Sequence, residues 1–418
     1  MSRGDNGGLM RLPVLLLTAG LLAGAAAFTL SRTQERSVRA PGAVAATVPA
    51  LSPAPAEAPP EAAPPAPQEP RLGARTEPVP RPVLVTPAQP AAEPGPLPAS
   101  AHVPSIRHEY QRLNNCGPVT VGMALSRWGG TLNQYDIAPR LKPNRGDVNV
   151  SPEELAAFAR AQGMDVHLAR NGDRALLKRL LAAGYPVVVE TWFVTEDGGM
   201  GHYRLLTGYD DAGQQFSALD SYLGRLGLPY ARFDELWRSF GRTFLVVSPP
   251  NRAAEVRELL GFRADRGAER QEALRAALVE ADRRDDAVGW LNVGQAKLAV
   301  GDARGAARAF EQAFAARPDP TLDPTRPVRV VGGLPWRTLW YSFGPLEAYT
   351  RTGRYADVLR LTNAVLRDAP AHEEAHYWRG RALAGLGRTV EARAAYREAL
   401  RLRPGYAAAR AALGRLEG

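Results

Sequence analysis

One sulfur nucleophile stands in this chain of 418 residues: Cys116, in the run Gln111-Arg-Leu-Asn-Asn-Cys116-Gly117-Pro118. A lone cysteine has no intramolecular disulfide partner and cannot join a multi-thiolate metal site, which leaves a buried filler or a reactive thiol. The run Val119 to Trp128 carries Val121, Leu125 and Trp128 at helical spacing, and Pro118 suits the first turn of a helix. Cys116 therefore falls at a helix N-terminus. There, exposed backbone N–H groups and the positive end of the helix dipole favour the thiolate, the form that attacks a carbonyl carbon. Asn114 or Asn115 is placed to cap the helix, and Gly117 to admit a substrate backbone.

A thiolate needs a base to carry its proton. His202 opens a run to Tyr209 that reads as a strand, joined by the turn Asp210 to Gly213 to a second strand, Gln214 to Asp220. With a three-residue loop at 210–212, Tyr209 pairs with Gly213, and His202 falls directly opposite Asp220 on one face. A carboxylate there fixes the imidazole tautomer and supports its charged form. Loop parity decides the matter: one residue more or less makes the pair diagonal or puts it on opposite faces. Asp210 and Asp211 read as turn formers.

The elements around these residues describe an α+β domain over 105–250. Helices are expected at 133–140, from Ser151-Pro-Glu-Glu154 (a capping serine, a first-turn proline and early acids), from Asp173 to Ala183, and at 233–239. Strands are expected at Met164 to Ala169, Pro186 to Trp192 and Thr243 to Val247, with a flexible loop from Glu196 to Gly201.

Q-x-x-N-N-C-G-P at a helix start, G-H-Y opening a strand and L-D-S-Y closing the next resemble the papain-like cysteine peptidases of cysteine-peptidase family 39. That family includes the bacteriocin-processing, double-glycine peptidases. The resemblance implies an α+β papain-like cysteine peptidase domain, with Cys116 as nucleophile, His202 as general base and acid, and Asp220 as the orienting residue. It also implies that Gln111 supplies the oxyanion-hole side chain, its amide N–H acting with the backbone N–H of Cys116. Gln111 lies five residues before the cysteine, one fewer than is usual in papain-like enzymes, and Asn115 is the substitute donor. Neither a cofactor nor a metal is called for. The exporter version of the family carries its own ATPase. No G-x-x-x-x-G-K-[ST] loop occurs here, so the chain does not read as a bacteriocin exporter.

Before this domain come an N-terminal tail (1–11), an uncharged run from Leu12 to Leu30 between Arg11 and Arg32, and a linker (31–104). The 19-residue run is long enough for one transmembrane helix, while Ala25 to Ala27 offers the alternative of signal cleavage. The linker holds 19 prolines between Pro41 and Pro104, among alanines, and reads as disordered. Fully extended as polyproline II, it would reach on the order of 200 Å. These features suggest a single-pass cell-membrane protein with its C-terminal domains outside the cytoplasm, or a secreted one after cleavage.

After linking helices at 251–286, residues 287–418 repeat. Trp290, Gly294, Gly301, Ala306, Phe310, Ala313 and Pro318 take the offsets of a 34-residue helix–turn–helix unit. Gly380, Gly387, Ala392, Tyr396, Ala399 and Pro404 take matching places, and a middle unit from Leu339 keeps Tyr349, Gly353 and Pro370 in register. They resemble tetratricopeptide repeats, an all-α solenoid with an insertion that includes Asp323 to Pro335 and a capping helix from Ala407. Such arrays present a concave surface to a protein or peptide partner. His372-Glu-Glu-Ala-His376 matches the zinc-peptidase pattern H-E-x-x-H, but it lies at a repeat boundary with no third ligand and reads as a polar helix start. The net charge of +9 comes almost wholly from arginine scattered on helix faces, since lysine occurs only at 142, 178 and 297. Scattered charge of this kind does not describe a nucleic-acid partner. The sequence thus reads as a membrane-tethered cysteine peptidase that takes a peptide or protein substrate. The alternative is a catalytically silent scaffold that binds envelope proteins.

Overall fold

The computed structural model describes residues 96–418 apart from 197, 318, 320 and 323–331. The tail (1–11), the candidate span (12–30) and the linker as far as 95 lie outside the described residues. Among the described residues, no helix is long and apolar enough to cross a membrane.

Ser100–His102, inside the stretch assigned to the linker, forms strand β1. It pairs antiparallel with the far end of a long strand, Gly198–Asp210, through Ser100↔Asp210 and His102↔Gly208. The linker therefore ends earlier than its composition suggests, because a short edge strand is recruited by an open ladder.

Helix α1, Cys116–Ser126, starts at the sulfur and buries every residue from Gly117 to Leu125. A helix apolar on all sides belongs in the middle of a fold. Helix α2 (Gln134–Leu141) carries a capping box between Asn133 and Asp136, and α3 (Pro152–Ala161) carries one between Ser151 and Glu154, as its opening residues predict. Then follow β2 (Asp165–Ala169) and α4 (Arg174–Ala182), the latter capped by Asp173. The rest of the sheet is β3 (Val187–Thr195), β4 (Gly198–Asp210), β5 (Gln215–Asp220), β6 (Gly224–Pro229) and, after α5 (Tyr230–Arg238), β7 (Phe244–Ser248).

These strands make one seven-stranded antiparallel sheet in the order β2-β7-β3-β4-β5-β6, with β1 on β4. One face packs on α1 and α3 through Val121, Leu155, Tyr203 and Leu205. The other packs on α4, α5 and the following α6 (Ala253–Leu260) through Leu176, Trp237 and Val256. Two readings need correction. Gly198 to Gly201, expected in a flexible loop, pair with Thr195 to Trp192 and extend β4; glycine leaves room for the Trp192 ring across the ladder. Strand β6 was not expected, because G-R-L-G-L-P lacks β-branched residues and contains a proline. Its edge position tolerates both.

Helix α7 (Arg266–Arg284) leads into the helix pairs α8 (Ala287–Ala299) with α9 (Ala303–Ala315), α10 (Gly344–Arg351) with α11 (Tyr355–Asp368), and α12 (Glu373–Gly385) with α13 (Thr389–Leu402); α14 (Ala407–Glu417) closes the array. The described part of the insertion lies on the sheet. Trp192 Nε1 donates to the Leu322 carbonyl at 2.6 Å, Arg337 Nη1 to that of Gly199 at 3.1 Å, and Tyr341 packs against Phe240.

Within a pair, a glycine on one helix faces an aromatic ring on the next. A Cβ at Gly380 would lie 2.6 Å from the Tyr396 ring, whereas at Gly414 it would meet nothing within 4 Å. Alanine gains about 1 kcal/mol of helix propensity at either site, but at Gly380 overpacking costs about 1–3 kcal/mol. Gly414→Ala is expected to raise the denaturant midpoint of unfolding and Gly380→Ala to lower it.

Candidate active site

The position of His202 rests on a backbone irregularity. The turn between β4 and β5 closes at Asp210↔Gln215, leaving four residues in the loop where three were expected. Continued without interruption, that register would send His202 to the face opposite Asp220. Between Gly208↔Ser217 and Leu206↔Ala218, however, Thr207 is an extra residue, and beyond this bulge Arg204 faces Asp220. His202, two residues from Arg204, returns to the Asp220 face. The direct opposition expected from the sequence is thus a diagonal pair, and it makes contact: His202 Nε2 lies 3.0 Å from Asp220 Oδ1.

With Nε2 taken by the carboxylate, the imidazole also acts on the Cys116 thiol, and each shifts the other's pKa. His202 and Asp220 are buried, and Cys116 is half-buried. Burial alone would raise the thiol's pKa. The hydrogen bond and charge of His202, with the backbone N–H groups of Tyr203 and Gly117, outweigh it and pull the thiol below its ordinary value. Burial likewise disfavours imidazolium, yet the contacts with Asp220 and Cys116 raise His202 above the ordinary histidine range. Asp220 is held well below the carboxylate range against its own burial by His202, Arg204 and the N–H of Leu223.

Asp220 makes more contacts than the sequence reading foresaw. Oδ2 accepts from Arg204 Nε at 2.8 Å, and Oδ1 accepts from the N–H groups of Tyr222 at 2.7 Å and Leu223 at 2.9 Å. Its main-chain carbonyl takes a hydrogen bond from His108 Nε2 at 2.9 Å. Arg204, buried under the Phe193 ring and bonded to Thr191, was missed, although strand alternation already put it on the His202 face. Ser221 was missed although it stands in the L-D-S-Y run, and His108 was missed because no local pattern marks it.

Gln111 reaches the same point. Its N–H donates to the Ser221 carbonyl at 2.8 Å, and its Oε1 accepts from Ser221 Oγ at 2.7 Å. The amide oxygen is thereby engaged and the NH2 group is left to donate. Asn115 is differently employed: it holds the N-cap position without a side-chain cap, and its Nδ2 donates to buried Gln134 Oε1 at 3.1 Å. Leu113 and Asn114 are left-handed, with φ of 32° and 55°, so Asn114 shapes the approach to the helix and does not cap it. Gly117 is buried against Val150, Leu155 and Tyr203, so its small size serves packing and not the approach of a substrate. Tyr110, Leu113, Tyr222 and Leu223 form an exposed, mostly apolar set around these segments.

The two imidazoles of the H-E-x-x-H run serve the repeats. His372 Nε2 bonds the Trp340 carbonyl at 3.1 Å, and His376 Nε2 bonds that of Pro370 at 2.9 Å. Among the described residues, no group of three or more His, Cys, Asp or Glu is arranged to hold a metal ion.

Residues 101–244 match the Peptidase_C39 like family, and residues 373–406 match the Tetratricopeptide repeat. No curated protein matches the chain. Among solved structures it is similar to a double glycine motif protease from an AMS/PCAT transporter in complex with the leader peptide, with 17% identity over 36% of this chain and 94% of that one, TM-score 0.28. It is similar to the peptidase domain of Streptococcus ComA, a bi-functional ABC transporter involved in a quorum sensing pathway, with 15% identity over 35% and 99% and a TM-score of 0.30. It is also similar to MamA from Desulfovibrio magneticus RS-1, with 22% identity over 39% and 83% and a TM-score of 0.29. The chain thus carries a Peptidase_C39-like domain at residues 101–244 and a tetratricopeptide repeat at residues 373–406.

Proposed function

We propose that this chain is a cysteine peptidase that hydrolyses peptide bonds through Cys116, His202 and Asp220. The observation that carries the reading is the buried hydrogen bond between the Asp220 carboxylate and His202, an imidazole that in turn lowers the pKa of the only thiol. His202 takes the proton of Cys116, and the sulfur adds to the substrate carbonyl. The resulting oxyanion accepts from the amide NH2 of Gln111 and the backbone N–H of Cys116. As the C–N bond breaks, the imidazolium protonates the leaving amine and a thioester remains. Water, giving its proton back to His202, then releases the acid and restores the thiol.

The exposed rim of Tyr110, Leu113, Tyr222 and Leu223 suits an extended peptide with apolar side chains. The helix pairs support a protein-binding role beside the peptidase. The uncharged run Leu12 to Leu30 supports a membrane tether with these domains outside the cytoplasm.

Iodoacetamide reads Cys116 alone, because the chain has one cysteine. Fast labelling at pH 7 is expected, slowed at least tenfold in His202→Ala; equal rates in the two proteins would leave a binding scaffold in place of an enzyme. In peptide profiles of envelope extracts, Cys116→Ala should remove the cleavage products, and Gln111→Ala should lower kcat by about 10²–10³.

The pH profile follows from the directions of the two shifts. The thiol loses its proton below the ordinary value of about 8.5, and the imidazole keeps its proton above the ordinary value of about 6.5. The acid limb of kcat/KM therefore reports protonation of the thiolate, and the alkaline limb reports loss of the imidazolium, both as properties of the coupled pair. In Asp220→Asn the imidazolium loses its carboxylate, so the alkaline limb should move to lower pH. An unmoved limb would remove Asp220 from the mechanism.

A further inference from the structure

In a chain whose cations are almost all arginine, one of three lysines is buried behind the nucleophile. Lys142 follows α2, and its Nζ donates to the carbonyls of Leu113 at 3.3 Å and Asn114 at 3.1 Å. These are the two left-handed residues before Asn115 and Cys116. Side chains rarely hold such a conformation without outside support. A compact ammonium with three donors can serve two converging carbonyls and still face further acceptors, a geometry a planar guanidinium does not match.

Those further groups lead to the repeat array. Lys142 lies in the electrostatic reach of Cys116, of Asp147 on the loop between α2 and α3, and of Glu373 at the start of α12. That loop is docked on the same repeat. Asn144 Nδ2 donates to the Ala371 carbonyl at 2.9 Å, Gly146 packs against Ala371, and Glu154, on the α3 that follows, pairs with Arg403. Asp147 and Glu373 are buried, and each has a carboxyl oxygen without a hydrogen-bond partner. Burial pushes both up to about 8, with Glu373 and Glu374 adding repulsion at Asp147, and Glu374 and Glu154 adding it at Glu373. Burial also pulls the Lys142 ammonium below its ordinary value, and the charges of Asp147, Cys116 and Glu373 oppose that fall. Arg403 and His372, also close by, are engaged by Glu154 and Glu374.

We propose that Lys142 is a positioning residue for Cys116, clamping the strained turn before the nucleophile and placing a positive charge behind it, and that the last repeat holds it there. This rests on the reading of Cys116 as the nucleophile. The repeat containing α12 and α13 is then part of the catalytic apparatus as well as a binding module.

The test is the pH dependence of iodoacetamide labelling of the full-length protein, with Cys116→Ala as the blank. Wild type should label with a midpoint below the ordinary thiol value of about 8.5. Lys142→Met should move the midpoint upward and slow labelling at pH 6 at least tenfold, with kcat falling more than KM changes; Lys142→Arg should restore part of the shift. If Lys142→Met does not fold, Lys142→Gln, which keeps an N–H donor and drops the charge, decides the point by the same upward shift. A depressed wild-type midpoint left unmoved in the folded variant would overturn the role of Lys142 while leaving Cys116 as nucleophile. A wild-type midpoint at the ordinary thiol value would instead overturn the peptidase reading itself.

Discussion

The site is organised by one buried negative charge. Asp220 has no exposed surface, so its carboxylate persists only because both oxygens are met: Oδ1 by an imidazole and two main-chain N–H groups, Oδ2 by a guanidinium. In answering that requirement the chain gathers the groups a thiol peptidase would use. The His202 ring is fixed through Nε2. The strand carrying it is locked by Arg204, and the next residue, Ser221, holds Gln111 by both main chain and side chain. Two cations on one carboxylate also divide its influence. Arg204 keeps Asp220 ionised, and because the guanidinium cannot lose its proton, only His202 can act as the exchanging partner.

Much of this was legible in the chain. The N-terminal position of Cys116 followed from Pro118 and the apolar spacing after it, and the cap at Ser151 followed from a side chain that satisfies orphan N–H groups. These are local effects, fixed by a few neighbouring residues. The pairing of His202 with Asp220 was reached for an incomplete reason. The loop is one residue longer than supposed, and a bulge at Thr207 cancels the error. Nothing about a threonine between Leu206 and Gly208 announces a bulge, because it arises from how two strands must meet and not from the propensity of one residue. Strand β6 and the early start at Ser100 escaped for the same reason: both are edges recruited by neighbours. Gln111 illustrates the converse, since its spacing from the cysteine departs from the usual pattern while its contacts with Ser221 are specific.

The helical half was read correctly in its periodicity and incompletely in its placement. Glycine facing an aromatic ring recurs in α8 with α9 and in α12 with α13, a pattern visible in sequence because both partners lie within one repeat. That the insertion between the first two pairs lies across Trp192 and Gly199, or that α12 abuts the loop after Lys142, depends on contacts more than a hundred residues apart in the chain. No periodicity carries that information. The interface is also where single oxygens of buried carboxyls are left without a hydrogen bond, so its charges are matched less completely than those around Asp220.

One contact has a bearing on the order of events during synthesis. Asn144 meets the carbonyl of Ala371, made 227 residues later. A polypeptide emerging N-terminus first can close the antiparallel sheet, and with it the His202–Asp220 pair, long before α12 exists. Until the final repeat arrives, the turn before the sulfur lacks its outer buttress. The fold itself thereby imposes a delay between closing the His202–Asp220 pair and finishing the setting of the thiol.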